Sequence, residues 1–263
     1  MKIVVFETEE WEKETFQQLE EEVDLLMLED KLSEENASEY HDADIISTFI
    51  YSTLSAAVLN QFDDLRLIAT RSTGYDHIAL DCCEDQDITV CNVPEYGDNT
   101  VAEHVFGLLL AISHNLVEAV DRTRRGDFSL RGLRGFDLRG KTLGVIGTGS
   151  IGQHVIKIAH GFEMRVVAYD VVENDDLAEE LDFQYRSMEN LLAESEVITL
   201  HVPSNPQTHH LISDREFNQM KEGAVIINTA RGGVLDIEAL SRALADGTVA
   251  AAGLDVLPEE PTI

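Results

Sequence analysis

The stretch Thr142-Leu-Gly-Val-Ile-Gly-Thr-Gly-Ser-Ile-Gly152 constrains this chain more than any other segment. A short β-branched run leads into three glycines at G-x-G-x-x-G spacing, Gly147, Gly149 and Gly152, and then into a helical pattern. Each glycine has a separate physical reason. Gly147 permits the tight turn, Gly149 lets backbone approach a pyrophosphate, and Gly152 lets the helix pack close to the strand. The helix start offers N–H groups and a positive dipole to phosphate. Eighteen residues past Gly152, Asp170 follows the strand pattern Met164–Tyr169. An acid there accepts hydrogen bonds from a ribose diol and repels a 2′-phosphate, so NAD is favoured over NADP.

The surroundings supply the fold such a loop needs. Strand patterns at Lys2–Phe6, Asp24–Leu28, Ala43–Ile50, Leu65–Thr70 and Ile88–Val93 alternate with helical ones at Trp11–Glu21, Ser55–Phe62 and His77–Asp85. A second series places strands at Thr142–Ile146, Met164–Tyr169, Glu196–His201, Ala224–Asn228 and Val249–Leu254. Between the two series, apolar residues at three- and four-residue steps predict one long helix over Asn99–Arg125, capped by Asn99 or Thr100. An Arg- and Gly-rich loop, Arg122–Gly140, follows it. The alternation predicts parallel sheets covered by helices on both faces, in two α/β domains that meet near residue 98.

Charge and cysteine usage narrow the setting. Fifty acidic residues face nineteen Lys and Arg, a formal charge of −31. That surface repels nucleic acid and anionic membrane, so neither is expected as a partner. The acids are scattered, which suggests adaptation to high internal salt rather than a disordered tail. The expected result is a melting temperature that falls as KCl is withdrawn; one that does not change with KCl contradicts this origin of the charge. Three cysteines, Cys82, Cys83 and Cys91, fit a reducing, cytoplasmic compartment. Adjacent Cys82 and Cys83 match no metal-ligand spacing, so no metal is expected, and they read as small buried hydrophobes. The N-terminus lacks the apolar core and cleavage site of a signal peptide, and no apolar run has transmembrane length.

Several further motifs stand in a fixed order: Arg71-Ser-Thr-Gly-Tyr-Asp-His-Ile, Asn92-Val-Pro-Glu-Tyr-Gly-Asp-Asn-Thr-Val-Ala-Glu-His, the glycine loop, Leu200-His-Val-Pro, Asn228-Thr-Ala-Arg-Gly-Gly-Val-Leu-Asp, and Gly253-Leu-Asp-Val-Leu-Pro-Glu-Glu. With these the chain resembles, over nearly its whole length, the D-isomer-specific 2-hydroxyacid dehydrogenases, and most of all their D-lactate dehydrogenase branch. The resemblance implies a flavodoxin-like substrate domain over residues 1–98, without its usual C-terminal return helix. It implies a Rossmann NAD-binding domain over 99–263, opening with the long helix 99–125.

Roles follow from the same resemblance. Arg231 matches the arginine that grips the substrate carboxylate and polarises its carbonyl, a task that suits a guanidinium fork. Glu260, with Glu259 beside it, matches the glutamate that orients a catalytic histidine. Thr73 and Gly74 match the turn whose N–H groups hold the carboxylate, and Tyr51 and Tyr96 match tyrosines of the substrate pocket. Ser150 and Ile151 match the pyrophosphate contacts. His201, Val202, Pro203 and Thr208 match the adenosine and nicotinamide-ribose side, Thr229 and Asp255 match positions near the nicotinamide, and Ala230 belongs to the cofactor-binding set.

The implied reaction is hydride transfer between NADH and a small 2-keto acid to give a D-2-hydroxy acid, with pyruvate and D-lactate first. Hydroxyisocaproate, glycerate and phosphoglycerate are alternatives, the last disfavoured by the lack of a basic cluster in the first domain. The implied assembly is a homodimer. The family's general-acid histidine follows the glutamate, whereas all nine histidines here precede Glu260. His201 sits on the wrong strand end to replace it, and His209 and His210 read as a solvated pair at a helix start. The chain is therefore expected to be part of a longer protein, and this part alone is expected to be inactive. The rival is a relative that senses NAD without turnover, as the family's corepressors do.

Overall fold

The computed structural model describes residues 1–258, which divide between Gly97 and Asp98 into two compact units. The first unit contains, in chain order, β1 (Lys2–Val5), α1 (Glu10–Gln17), β2 (Asp24–Met27), β3 (Ile45–Thr48), α2 (Ala56–Leu59), β4 (Leu67–Thr70), α3 (Leu80–Asp85) and β5 (Thr89–Cys91). Its five strands are all parallel, in the order β2-β1-β3-β4-β5. That is the flavodoxin-like doubly wound order. Val4, Phe6, Ile46, Leu54, Leu59 and Ile68 are sealed in its core. Each contributes about 1.5–3 kcal/mol of burial.

The second unit contains α4 (Asp98–Ser113), α5 (Leu116–Arg124), β6 (Thr142–Ile146), α6 (Ser150–Gly161), β7 (Arg165–Tyr169), α7 (Asp175–Glu180), β8 (Gln184–Tyr185), α8 (Met188–Glu194), β9 (Val197–Leu200), α9 (Asp214–Phe217), β10 (Ala224–Asn228), α10 (Ile237–Asp246) and β11 (Val249–Leu254). Its sheet runs β11-β10-β9-β6-β7-β8, again parallel throughout. Counted from β6, this is the Rossmann order, with its switch point between β6 and β9. Apolar clusters fill both faces. One joins Val105, Phe106 and Leu109 of α4 to Val155 and Ile156 of α6, and the other joins Leu191, Ile198, Ile226 and Leu240. Strands β6 and β10 are buried along their full length, which explains why they read as unbroken apolar runs.

The single helix expected over Asn99–Arg125 is corrected. Two helices, α4 and α5, meet at a bend of 60°. Asn115 between them has φ 51°, a left-handed conformation that ends the first helix. The loop after α5 returns to the same point. Phe136 N–H donates to the Ser113 carbonyl at 3.0 Å, and a Cβ on Gly135 would lie 2.0 Å from that carbonyl oxygen. Apolar periodicity continues through the break, so the sequence pattern hides it. His209 and His210 are exposed, as expected of a solvated pair, but they lie in a turn ahead of α9 rather than at its start, with His210 at φ 50° and the rings stacked. Of the cysteine pair, Cys83 is buried but Cys82 only partly so. Among the described residues no single helix is long and apolar enough to cross a membrane.

Candidate functional site

The C-terminal ends of β6, β9 and β10 carry most of the residues singled out in the second unit. At β6, Gly147 has φ 97°, and a Cβ there would lie 2.4 Å from the His201 carbonyl oxygen across the switch point. Gly152 faces the Gly147 carbonyl so closely that a Cβ would come to 2.1 Å. Gly149 differs: a Cβ on it meets nothing within 4 Å. Two glycines are thus required by the protein's own packing, and the third leaves an open face over the start of α6. Ser150, the first residue of α6, is exposed there, and its hydroxyl donates to the carboxylate of buried Asp98.

Asp170 closes the next turn. Its carboxylate accepts from Thr148 N–H at 2.7 Å, Thr148 Oγ1 at 3.0 Å and Val172 N–H at 3.1 Å. Burial opposes its ionisation, but these hydrogen bonds outweigh that and hold its carboxyl below the usual range. The Thr148 hydroxyl also meets Tyr185 Oη at 3.0 Å, so short β8, which periodicity could not reveal, brackets this corner.

At β9, His201 Nε2 meets Thr199 Oγ1 at 2.9 Å while buried Nδ1 has no partner. Burial pushes its pKa down to about 3, so the imidazole is neutral throughout the physiological range and supplies no acidic proton. Val202 packs toward Gly147, and Pro203 and Thr208 belong to a turn closed on itself: Thr208 Oγ1 donates to the Pro203 carbonyl at 2.6 Å. At β10, fully buried Asn228 shapes the following turn. Its Nδ2 donates to the Arg231 carbonyl at 3.0 Å and its Oδ1 accepts from Ala230 N–H at 3.0 Å. Arg231 is thereby presented on the surface, with Nη1 donating to the Ala230 carbonyl at 2.8 Å. Thr229 Oγ1 is buried without a partner. Asp255 N–H donates to the Asn228 carbonyl at 2.9 Å, and Asp255 Oδ1 pairs with His104 Nε2 of α4 at 3.0 Å. Glu260 and Glu259 lie outside the described residues.

In the first unit, Tyr51 and Tyr96 come together on one cavity of about 910 Å³, shared with Trp11, Phe49 and Arg71. Both tyrosines are exposed. Thr73 and Gly74 are not among the residues lining it. Their turn is built separately: Asn92 Nδ2 donates to the Thr73 carbonyl at 2.9 Å, and Ser72 Oγ donates to the Gly74 carbonyl at 2.6 Å. With the carbonyls occupied in this way, neither Thr73 N–H nor Gly74 N–H has an acceptor among the described residues.

Five residues escaped the sequence reading: Glu7, Arg71, Asp98, His104 and Asn228. Four stand inside the quoted motifs, and membership of those motifs is the signal the sequence offers for them. Glu7 had none, being one acid among many in the sequence.

Known proteins resemble this chain over most of its length. Residues 106–263 match the family described as D-isomer specific 2-hydroxyacid dehydrogenase, NAD binding domain. The chain is 35% identical to a D-lactate dehydrogenase of Escherichia coli over 99% of its own length and 80% of that protein. It is 38% identical to a glyoxylate reductase of Thermococcus gammatolerans, over 84% of this chain and 68% of the relative. Among solved structures it superposes on D-lactate dehydrogenase from Aquifex aeolicus, complexed with NAD and lactic acid, with a TM-score of 0.90. The identity there is 38%, covering 97% of this chain and 77% of the other. The chain therefore belongs to the D-isomer specific 2-hydroxyacid dehydrogenase family, and its second unit is an NAD-binding domain of that family. The residues present fit the dinucleotide: an open backbone face at Gly149, a charged acceptor at Asp170, and two unpartnered buried polar atoms, His201 Nδ1 and Thr229 Oγ1.

Proposed function

We propose that the protein reduces a small 2-keto acid, pyruvate first, to the D-2-hydroxy acid with NADH. The observation that carries this reading is the open glycine cradle at the switch point, with Arg231 held at the same strand ends by Asn228. In this reading the second unit holds NAD: Gly147, Gly149, Ser150, Ile151 and Gly152 face the pyrophosphate and Asp170 the adenosine ribose. His201, Val202, Pro203 and Thr208 border the ribose side, and Thr229, Ala230 and Asp255 the nicotinamide. The first unit recognises the acid through the N–H groups of Thr73 and Gly74 and the tyrosines Tyr51 and Tyr96.

Bound NADH supplies the hydride for the substrate's C2. Arg231 binds the carboxylate in a fork and stabilises charge developing on the carbonyl oxygen. Neutral His201 orients through hydrogen bonding and donates no proton. Glu260 takes the part of the carboxylate that orients the family's proton-donating imidazole. Hydroxyisocaproate and glycerate dehydrogenation are the alternatives within this chemistry, because one or two pocket side chains decide side-chain preference. Initial rates of NADH oxidation by the full-length protein with pyruvate, glyoxylate, hydroxypyruvate and 2-ketoisocaproate separate them, and pyruvate is expected to have the highest kcat/KM. NADH binding with no turnover of any acid would favour a sensor over an enzyme.

A homodimer is part of this reading. Val117 of α5 and Phe128 and Leu130 of the following loop are 69%, 77% and 84% exposed, an apolar surface that a second copy would cover. Light scattering is expected to give twice the chain mass, and a monomer at micromolar concentration contradicts it. The three free cysteines support a reducing, cytoplasmic setting.

A further inference from the structure

Glu7 is an acid placed where acids are rarely found. It is 9% exposed, it follows β1 directly, and its φ of 55° is left-handed. Its carboxylate gathers three donors from one short segment after β3. Phe49 N–H donates to Oε2 at 2.7 Å, Ser52 Oγ donates to Oε2 at 2.8 Å, and Tyr51 N–H donates to Oε1. The Ser52 hydroxyl in turn accepts from Leu32 N–H at 2.9 Å, so the network reaches the segment after β2. Both carboxyl oxygens of Glu7 are thus engaged as acceptors.

The backbone of Glu7 is fixed independently. Arg71 Nη2 donates to the carbonyls of Phe6 at 2.9 Å and Glu7 at 2.8 Å. Its Nε pairs with Glu12 at 2.9 Å, and its Nη1 reaches Ser47 Oγ at 3.1 Å. The guanidinium thus locks the end of β1 in the left-handed turn that aims Glu7 at the 49–52 segment. Tyr51, Phe49, Glu7 and Arg71 all line the same cavity.

We propose that Glu7 is a positioning residue that fixes the 49–52 segment, and with it the place of Tyr51 on the cavity wall and the size of side chain the bound acid can carry. This rests on the reading that Tyr51 borders the substrate. A Gln at position 7 keeps the shape but turns an amide N–H₂ toward one of the three donors. The segment must then shift, or one buried donor goes unpaired.

The test reads binding of each acid by isothermal calorimetry, under conditions in which no turnover occurs. Pyruvate and 2-ketoisocaproate are titrated against the full-length protein saturated with NAD⁺, which cannot reduce them, and KM and kcat are measured separately with NADH. Glu7→Gln is expected to raise the pyruvate Kd and KM about tenfold, to change the ratio between the two acids, and to leave NADH affinity unchanged. In a Tyr51→Ala background the same substitution is expected to change KM less than about twofold, because it acts through Tyr51. An equal factor in both backgrounds, or a lower melting temperature with KM unmoved, overturns the proposal. If Glu7→Gln does not fold, Ser52→Ala removes one donor of the three. It should raise KM in the same direction by less, again only when Tyr51 is present. A wild-type protein that neither binds nor turns over either acid defeats the substrate-pocket reading itself, and this proposal with it. Wild-type turnover with a KM indifferent to position 7 defeats this proposal alone.

Discussion

Gly149→Ala is expected to leave the melting temperature unchanged or slightly raised and to weaken NADH binding by about a hundredfold. The two halves of this expectation have separate causes. Gly149 sits at φ −65° and ψ −170°, extended backbone that any residue adopts, and a Cβ there touches nothing within 4 Å. The folded chain therefore tolerates alanine. The space a methyl group would fill is the approach to the N–H groups at the start of α6. A pyrophosphate displaced by one methyl loses charge-assisted hydrogen bonds worth roughly 1.5–3 kcal/mol each. Gly152→Ala is the contrasting case, since its Cβ would lie 2.1 Å from a backbone oxygen and the strand–helix junction must open. Thermal denaturation and NADH fluorescence titration read both effects. An unchanged Kd for Gly149→Ala would mean that the pyrophosphate does not lie over this glycine.

Arg231→Ala is expected to lower kcat/KM for the 2-keto acid by roughly a thousandfold, with NADH affinity nearly unchanged. Arg231→Lys keeps the charge but loses the planar fork, and is expected to recover less than about a tenth of the lost activity. The turn that presents Arg231 is held by fully buried Asn228 through two hydrogen bonds, to which the guanidinium adds one to the Ala230 carbonyl. Loss of activity is thus separable from loss of structure: Arg231→Ala should still fold, with a small fall in melting temperature against a large fall in kcat/KM. A fall of less than tenfold would remove Arg231 from the chemistry.

The sequence disclosed most where one local rule decided the outcome. Buried parallel strands such as β6 and β10 show as apolar runs with glycine or polar ends, and the three glycines of the cradle announce themselves by spacing. Rules failed where structure depends on one residue's backbone or on distant partners. Asn115 breaks a helix whose apolar stripe continues past it, because a single left-handed residue leaves no trace in periodicity. Strand β8 is two residues long, too short for any alternation to register. Glu7 reads as one of fifty acids, and only the fold brings Arg71, Phe49, Tyr51 and Ser52 to it. The family resemblance assigns Thr73, Gly74, Tyr51 and Tyr96 to one substrate, and sequence alone does not disclose that only the tyrosines line the first unit's cavity.

The most direct test is to incubate the full-length protein with pyruvate and NADH and to identify the product by chiral chromatography. NADH consumption matched by D-lactate is expected. L-lactate, or NADH bound but never consumed with any small 2-keto acid, would contradict it.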